Sequence, residues 1–322
     1  MHQHLVVGAG PVGTALTHLL VERGDRVTVV TRSGRGPAHP AVRLVAADAS
    51  DAEALTALAQ GARTVVNCAN PGAYQLWAAQ WPPLAAALLT AAERSGAVLL
   101  TTGNLYAYGP VDGPLTPDLP LAATGTKGRL RARMWQDALA AHEAGRVRAA
   151  EVRASDYVGP TAGAASALLH RYADALLAGK PASVFGDPDL PHTFTAVTDI
   201  ARTLLAVADD ERAWGRPWHV PSPEPLTVRA ALTDLLAASG TTSPVRLRRF
   251  SRTAVTALSP VVPVLRELRE VLWQWERPFV LDATATTAAL GVHATPWPRV
   301  ADVTGRAWGE ASARRADATQ RV

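Results

Sequence analysis

Residues 5–13 read LVVGAGPVG, and the two halves of this stretch obey different rules. Leu5-Val6-Val7 is a continuous apolar run, as a strand buried on both faces requires. Gly8, Gly10 and Gly13 follow in GxGxxG spacing and lead into Val12–Arg23, which has helical apolar periodicity. Gly8 permits a tight turn, Gly10 lets a phosphate approach the backbone, and Gly13 lets the helix sit close to the strand. With Pro11 and Val12 they open a helix whose free N–H groups and positive dipole end suit the pyrophosphate of a dinucleotide.

The same alternation continues outward from this stretch. Val27–Val30, Val42–Val45, Thr64–Asn67, Val98–Thr101 and Val147–Val152 read as further strands. Ala52–Ala59, Pro82–Ser95 and Lys127–Glu143 read as helices between them. Strand–helix alternation implies βαβ crossovers, so the expected class is α/β with a doubly wound parallel sheet. Beyond Val158 the rhythm loosens. Thr161–Gly179, Thr227–Ser239 and Thr253–Gln274 are expected to be helices without paired strands, forming a smaller, mostly helical lobe. The expected division is a nucleotide-binding domain over 1–158, rejoined by 195–220, a substrate lobe over 159–194 and 221–310, and a flexible polar tail over 311–322.

Composition narrows the function. The chain has 322 residues, 48% of them hydrophobic, enough for one large or two joined cores. A single cysteine, Cys68, excludes an internal disulfide and fits a reducing cytoplasm. The net charge of +4 is modest, and the arginine cluster Arg246, Arg248, Arg249 and Arg252 has no aromatic interleaving, which argues against nucleic-acid binding. The apolar N-terminal stretch is broken by Glu22, Arg23 and Asp25, so no membrane span is expected. No Cys, His and carboxylate cluster has ligand spacing, and no catalytic metal is expected.

After the second strand stand Thr31-Arg32-Ser33-Gly34-Arg35. Thr31, Arg32, Ser33 and Arg35 suit a ribose 2′-phosphate, where an acidic residue would instead hold the free hydroxyl of NAD, so NADP is favoured over NAD. Asp48 is placed to accept from the adenine amino group. Ala69 and Asn70, in NCANP (67–71), end the fourth strand on the edge where ligands bind in such sheets. Cys68 beside them reads as a packing residue, with no adjacent base to activate it.

Blocks further along are TTGNLYAYGP (101–110), Lys127, RASDYVGP (153–160), Phe185-Gly186-Asp187, HTFTAVTDIA (192–201), and FVLD (279–282) with Leu290-Gly291. In this order they make the chain resemble the extended short-chain dehydrogenase/reductases, the NAD-dependent epimerase/dehydratase group, and specifically its atypical members. The resemblance covers nearly the whole chain. It implies a Rossmann domain carrying the cofactor, a lobe that closes over a small-molecule substrate, and a homodimer. The group's catalytic set is Ser/Thr, Tyr and Lys. Aligning Tyr108-Gly109 with its Tyr-Gly places Asn104 at the Ser/Thr, Lys127 at the lysine and Ala123 at the tyrosine.

Lys127 is therefore expected to hold the nicotinamide ribose, and Asn104 to polarise a substrate carbonyl. Tyr106 and Tyr108 are candidates for a displaced phenol, and Tyr157 for contact beside the nicotinamide. Tyr74, Trp77, His192 and Trp273 are expected at the substrate pocket, with core packing as the alternative for the tryptophans. His192 reads equally as a proton donor or a polar wall. The leading expectation is an NADP-dependent reductase of a small carbonyl, imine or enone. An NAD(P)-dependent sugar-type epimerase or dehydratase, and a non-catalytic NADP sensor, are the alternatives.

Overall fold

The computed structural model describes residues 1–163 and 167–320. Its centre is a seven-stranded, all-parallel sheet. The strands are β1 (Gln3–Val7), β2 (Arg26–Thr31), β3 (Val42–Ala46), β4 (Thr64–Asn67), β5 (Val98–Asn104), β6 (Arg148–Ala154) and, after four intervening strands, β11 (Pro217–His219). Their order across the sheet is β11-β6-β5-β4-β1-β2-β3. The order reverses between β1 and β4, and a crevice opens there at the carboxyl edge.

Helices cover both faces, which is why the strands read as unbroken apolar runs. Val6 and Val29 face α1 (Pro11–Glu22) and α6 (Val197–Asp209) through Leu16, Leu20, Ile200 and Leu204. Leu5, Val7 and Val30 face the other way, toward α2 (Ala52–Ala59), α3 (Trp77–Ser95) and α4 (Thr126–Glu143). Residues one apart on a strand thus feed two different cores. The fold is a Rossmann-type α/β sheet with a helical C-terminal region.

The rest of the chain departs from the sequence expectation in several places. The region after Val158 does contain paired strands. β7 (Asp156–Val158) pairs with β10 (Phe194–Ala196), β8 (Ala182–Phe185) with β13 (Leu247–Phe250), and β9 (Pro191–His192) with β12 (Leu226–Thr227). These two- to four-residue strands are too short to show an alternating pattern. Around them pack α5 (His170–Leu177), α7 (Val228–Ala238), α8 (Arg252–Leu258), α9 (Pro263–Arg269), α10 (Thr284–Leu290) and α11 (Trp297–Gln320). The helix expected over Thr161–Gly179 is present as α5 alone, and residues 164–166 of that stretch lie outside the described residues.

The single helix expected over Thr253–Gln274 is three pieces, α8, α9 and a 3-10 turn at Leu272–Trp275. Pro260 interrupts it, since it lacks the N–H that a helix interior needs, and the chain resumes as α9 at Pro263. The first ten residues of the expected tail, 311–320, form the last part of α11, which runs to Gln320, and Arg315 pairs there with Asp174. The last two residues, 321–322, lie outside the described residues.

Candidate active site

A cavity of about 1060 Å³ runs along the carboxyl edge from the GxGxxG turn to the C-terminal region. At its head, Gly8 has φ +100°, and a Cβ there would lie 2.7 Å from the Ala69 nitrogen. A Cβ on Gly13 would lie 2.0 Å from the Gly8 carbonyl oxygen. Gly10 is the opposite case: its Cβ would meet nothing within 4 Å, because it faces the cavity. Pro11 stands in the first turn of α1, and no side chain caps the turn, so its N–H groups are left for an anion.

Beyond the β2 end, Thr31 and Arg32 line the cavity. Ser33 and Arg35 do not line it. They shape the adjoining turn, in which the Thr31 hydroxyl donates to the Arg35 carbonyl (2.9 Å) and the Arg35 N–H to the Ser33 hydroxyl (3.4 Å). Asp48 lines the same end, and its carboxylate accepts from the Ser50 N–H (2.9 Å) and hydroxyl (2.6 Å). These two bonds come first in holding its carboxyl below the usual range.

The middle of the cavity is formed by Cys68, Ala69 and Asn70 after β4 and by Thr102–Asn104 at the end of β5. Burial pushes the Cys68 thiol up to about 12, which leaves it protonated and inert as a nucleophile. Asn104 accepts the Tyr106 N–H on its side-chain oxygen (3.2 Å) and also lines the cavity. Tyr106 and Tyr74 share a hydrogen bond between their hydroxyls (2.7 Å), and both line the cavity. Burial raises both phenols, Tyr106 well above its ordinary range, with Tyr74 and Asp156 adding to the shift. Tyr157 also lines the wall and is pushed by burial up to about 12.

Tyr108, Trp273 and Lys127 also stand off the cavity. Tyr108 is buried away from the cavity, its hydroxyl 2.7 Å from His219 Nε2 and 2.6 Å from Arg153 Nη1. Trp273 packs edge-on against Phe279, 5.5 Å between ring centres, in a small cluster with Tyr108 and Leu115. Lys127 does not line the cavity either. Its ammonium is buried against Glu267 (2.6 Å) and Glu270 (3.2 Å), behind Tyr74. Ala123, four residues earlier, precedes α4, where its N–H donates to the Ala107 carbonyl (3.1 Å).

One turn beyond Lys127 the same helix sends Arg131 into the cavity. Arg131 is only 6% exposed, and its Nη2 donates to Asn70 Oδ1 (3.2 Å). Its guanidinium lies over the rings of Trp77 (4.9 Å) and Trp81 (4.1 Å). Nε and Nη1 are buried and have no hydrogen-bond partner among the described residues. Such orphaned donors are costly unless a ligand oxygen meets them. The only advance signal for Arg131 was its i+4 spacing from Lys127 on one helix face.

His192 sits just behind the far wall, its Nε2 2.8 Å from Asp156 Oδ2, and Asp156 lines the cavity. Arg171, Leu268, Gln274, Trp275 and Phe279 complete the wall. Among the described residues no group of three or more His, Cys, Asp or Glu side chains stands where it could hold a metal ion. No helix among them is long and apolar enough to cross a membrane.

The NAD dependent epimerase/dehydratase family pattern matches residues 4–220, two thirds of the chain, including every site segment from the glycine turn through β11. The chain belongs to that family. Solved structures agree on the fold. The UDP-glucuronic acid 4-epimerase of Bacillus cereus, in complex with NAD, superposes with a TM-score of 0.77 at 16% identity, over 96% of this chain and 99% of its own. The dTDP-glucose 4,6-dehydratase of Bacillus anthracis, also with NAD, gives 0.79 at 17% identity over 98% of both chains. An epimerase from Methanothermobacter thermautotrophicus gives 0.80 at 17% identity, over 97% and 94%. A search of curated proteins returns no match.

Proposed function

We propose that this chain is an enzyme that binds a nicotinamide dinucleotide along the carboxyl edge and carries out epimerase- or dehydratase-type chemistry on a small molecule. The observation that carries the reading is a cradle with two unmet demands: the open space at Gly10 beside an uncapped helix, and the orphaned donors of Arg131 further along the same cavity. A pyrophosphate answers the first, and ribose or substrate oxygens answer the second. Bound there, the cofactor supplies reversible hydride acceptance from a carbinol carbon, so that the product keeps the substrate's oxidation level. Family membership favours this over net reduction of a carbonyl, imine or enone.

In this reading Arg131 takes the ribose-holding role that the sequence pointed to at Lys127. Asn104 hydrogen-bonds the substrate oxygen, and Tyr106, linked to Tyr74 and kept protonated by burial, is the phenol that donates to it. Tyr74, Trp77 and Trp275 offer ring faces to an apolar or cyclic substrate body. Arg32 is exposed on the cavity at the adenosine end, which supports NADP over NAD.

Fluorescence titration of the purified protein with NADPH and NADH tests the reading. Both are expected to bind, NADPH more tightly, with an enhanced and blue-shifted nicotinamide signal. Arg32→Ala should shrink the NADPH advantage, and Arg131→Met should weaken both nucleotides at least tenfold. Binding of neither nucleotide to the wild type would end the cofactor reading, and with it the proposed chemistry.

A further inference from the structure

The cavity carries charge of both signs at its far end, and the arrangement bears on which form of the cofactor it holds. Among the described residues two acidic side chains line the cavity, Asp48 at the β3 side and Asp156 at the opposite end, where β6 gives way to β7. A dinucleotide whose pyrophosphate rests at Gly10 has its adenosine toward Asp48. Its nicotinamide half then runs past Cys68, Asn70 and Asn104 toward Tyr106 and Asp156.

Asp156 is fixed in place. His192 Nε2 lies 2.8 Å from its Oδ2, and the imidazole is itself 3% exposed in its side chain. The ring lies between those of Phe194 (4.9 Å) and Phe279 (5.0 Å), so it has little freedom to turn. Asp156 begins β7 opposite Phe194 in the β7–β10 pair, which fixes its backbone as well. Around it the cavity presents the cations Arg131 and Arg171 and the phenols Tyr74, Tyr106 and Tyr157. Asp156 offsets one of these two positive charges and is the carboxylate at this end of the cavity.

We infer that Asp156, held by His192, selects the oxidised cofactor, whose nicotinamide ring is positively charged, over the neutral reduced form. The inference rests on the cofactor reading above and deepens it. An enzyme that borrows a hydride and returns it must rest with the oxidised form bound, whereas a reductase must load the reduced form. A carboxylate in a partly enclosed cavity acts on a nearby ring charge with little screening. Its effect falls on one redox form only, because the two forms are otherwise alike in shape.

The test is a set of tryptophan-fluorescence titrations with NAD+, NADH, NADP+ and NADPH on the wild type and on Asp156→Asn. ADP-ribose, which has no nicotinamide, serves as the reference ligand. The inference expects Asp156→Asn to lower the preference for the oxidised form by about tenfold while ADP-ribose affinity stays at the wild-type value. An unchanged oxidised-to-reduced ratio with intact ADP-ribose binding overturns it. If Asp156→Asn loses ADP-ribose binding through misfolding, Asp156→Ser carries the same comparison. A wild type that binds ADP-ribose but shows no preference between redox forms also overturns the inference, yet leaves dinucleotide binding standing. A wild type that binds none of these ligands removes the cofactor reading itself.

Discussion

Gly10 and Gly13 stand three residues apart in one motif, yet they answer to different constraints. Gly13 is glycine because of the protein: an added Cβ would lie 2.0 Å from the Gly8 carbonyl oxygen, so α1 would have to lift from β1. Gly10 is glycine with no protein atom within 4 Å of the added carbon. Gly13→Ala is therefore expected to lower stability by about 1–3 kcal/mol, as overpacking does. Gly10→Ala should leave the thermal midpoint of the unliganded protein almost unchanged and weaken NADPH at least tenfold. Thermal unfolding and nucleotide titration on both variants separate the two, and wild-type NADPH affinity in Gly10→Ala would mean that the phosphates lie elsewhere. Arg131 shows the same division of interests from the other side. Two of its buried nitrogens go unpaired among the described residues, so Arg131→Met should unfold at a midpoint no lower than the wild type while losing nucleotide affinity. A large drop in its midpoint would show that stacking on Trp77 and Trp81 outweighs the unmet donors.

At the level of elements, the motif-bearing half was legible because its physics is local. Apolar runs, glycines at turns and helical periodicity located β1 to β6, α1, α2 and α4 to within about three residues, whereas α3 starts at Trp77, ahead of the expected Pro82, and carries Pro82 and Pro83 inside it. Which helix residue faces the cavity is a different kind of fact. Lys127 and Arg131 lie on one face of α4, and only the packing of α9 against its first turn decides that Lys127 is covered and Arg131 is open. Asp156 and His192, 36 residues apart in sequence, come together because β10, which starts two residues after His192, pairs with β7. Lys127 gains a structural duty in the exchange. It ties α4 to Glu267 and Glu270, while Leu268, Gln274 and Trp275 of the same segment close the cavity. Lys127→Met leaves two partly buried carboxylates facing each other, and is expected to cost about 1–3 kcal/mol and to speed amide exchange across residues 265–275. Exchange at the wild-type rate in that segment would show that the contact does not hold α9 down.

For the molecule as a whole, three histidines that burial lowers to about 4, His4, His170 and His219, set the acid limit of the fold, and two of them stand in the central sheet. His4 on β1 bonds the Thr64 hydroxyl (2.8 Å), and His219 on β11 bonds Tyr108 (2.7 Å), at two distant places in the same sheet. Burial, the largest cause in each case, lowers both to about 4 from the ordinary 6.5. Both therefore stay neutral in the folded chain at pH values where the unfolded chain has already taken up protons. A group whose folded pKa is depressed contributes its full stability above the unfolded value and loses it as pH falls toward the folded value. The window is thus pH 6.5 down to about 4, with a slope near 1.4 kcal/mol per pH unit for each histidine at its steepest. Stability is expected to be flat above pH 7 and to fall steeply below 6. Denaturant unfolding at half-unit steps from pH 7.5 to 4.5 measures this slope. His219→Gln keeps a side chain able to hydrogen-bond Tyr108 but cannot take up the proton, so its profile should lose one histidine's share of the slope. A His219→Gln profile parallel to the wild type would place the acid sensitivity in the carboxylates instead. His4→Gln, at the other end of the sheet, should remove a similar share, and because the two sites are far apart the double variant should show the sum.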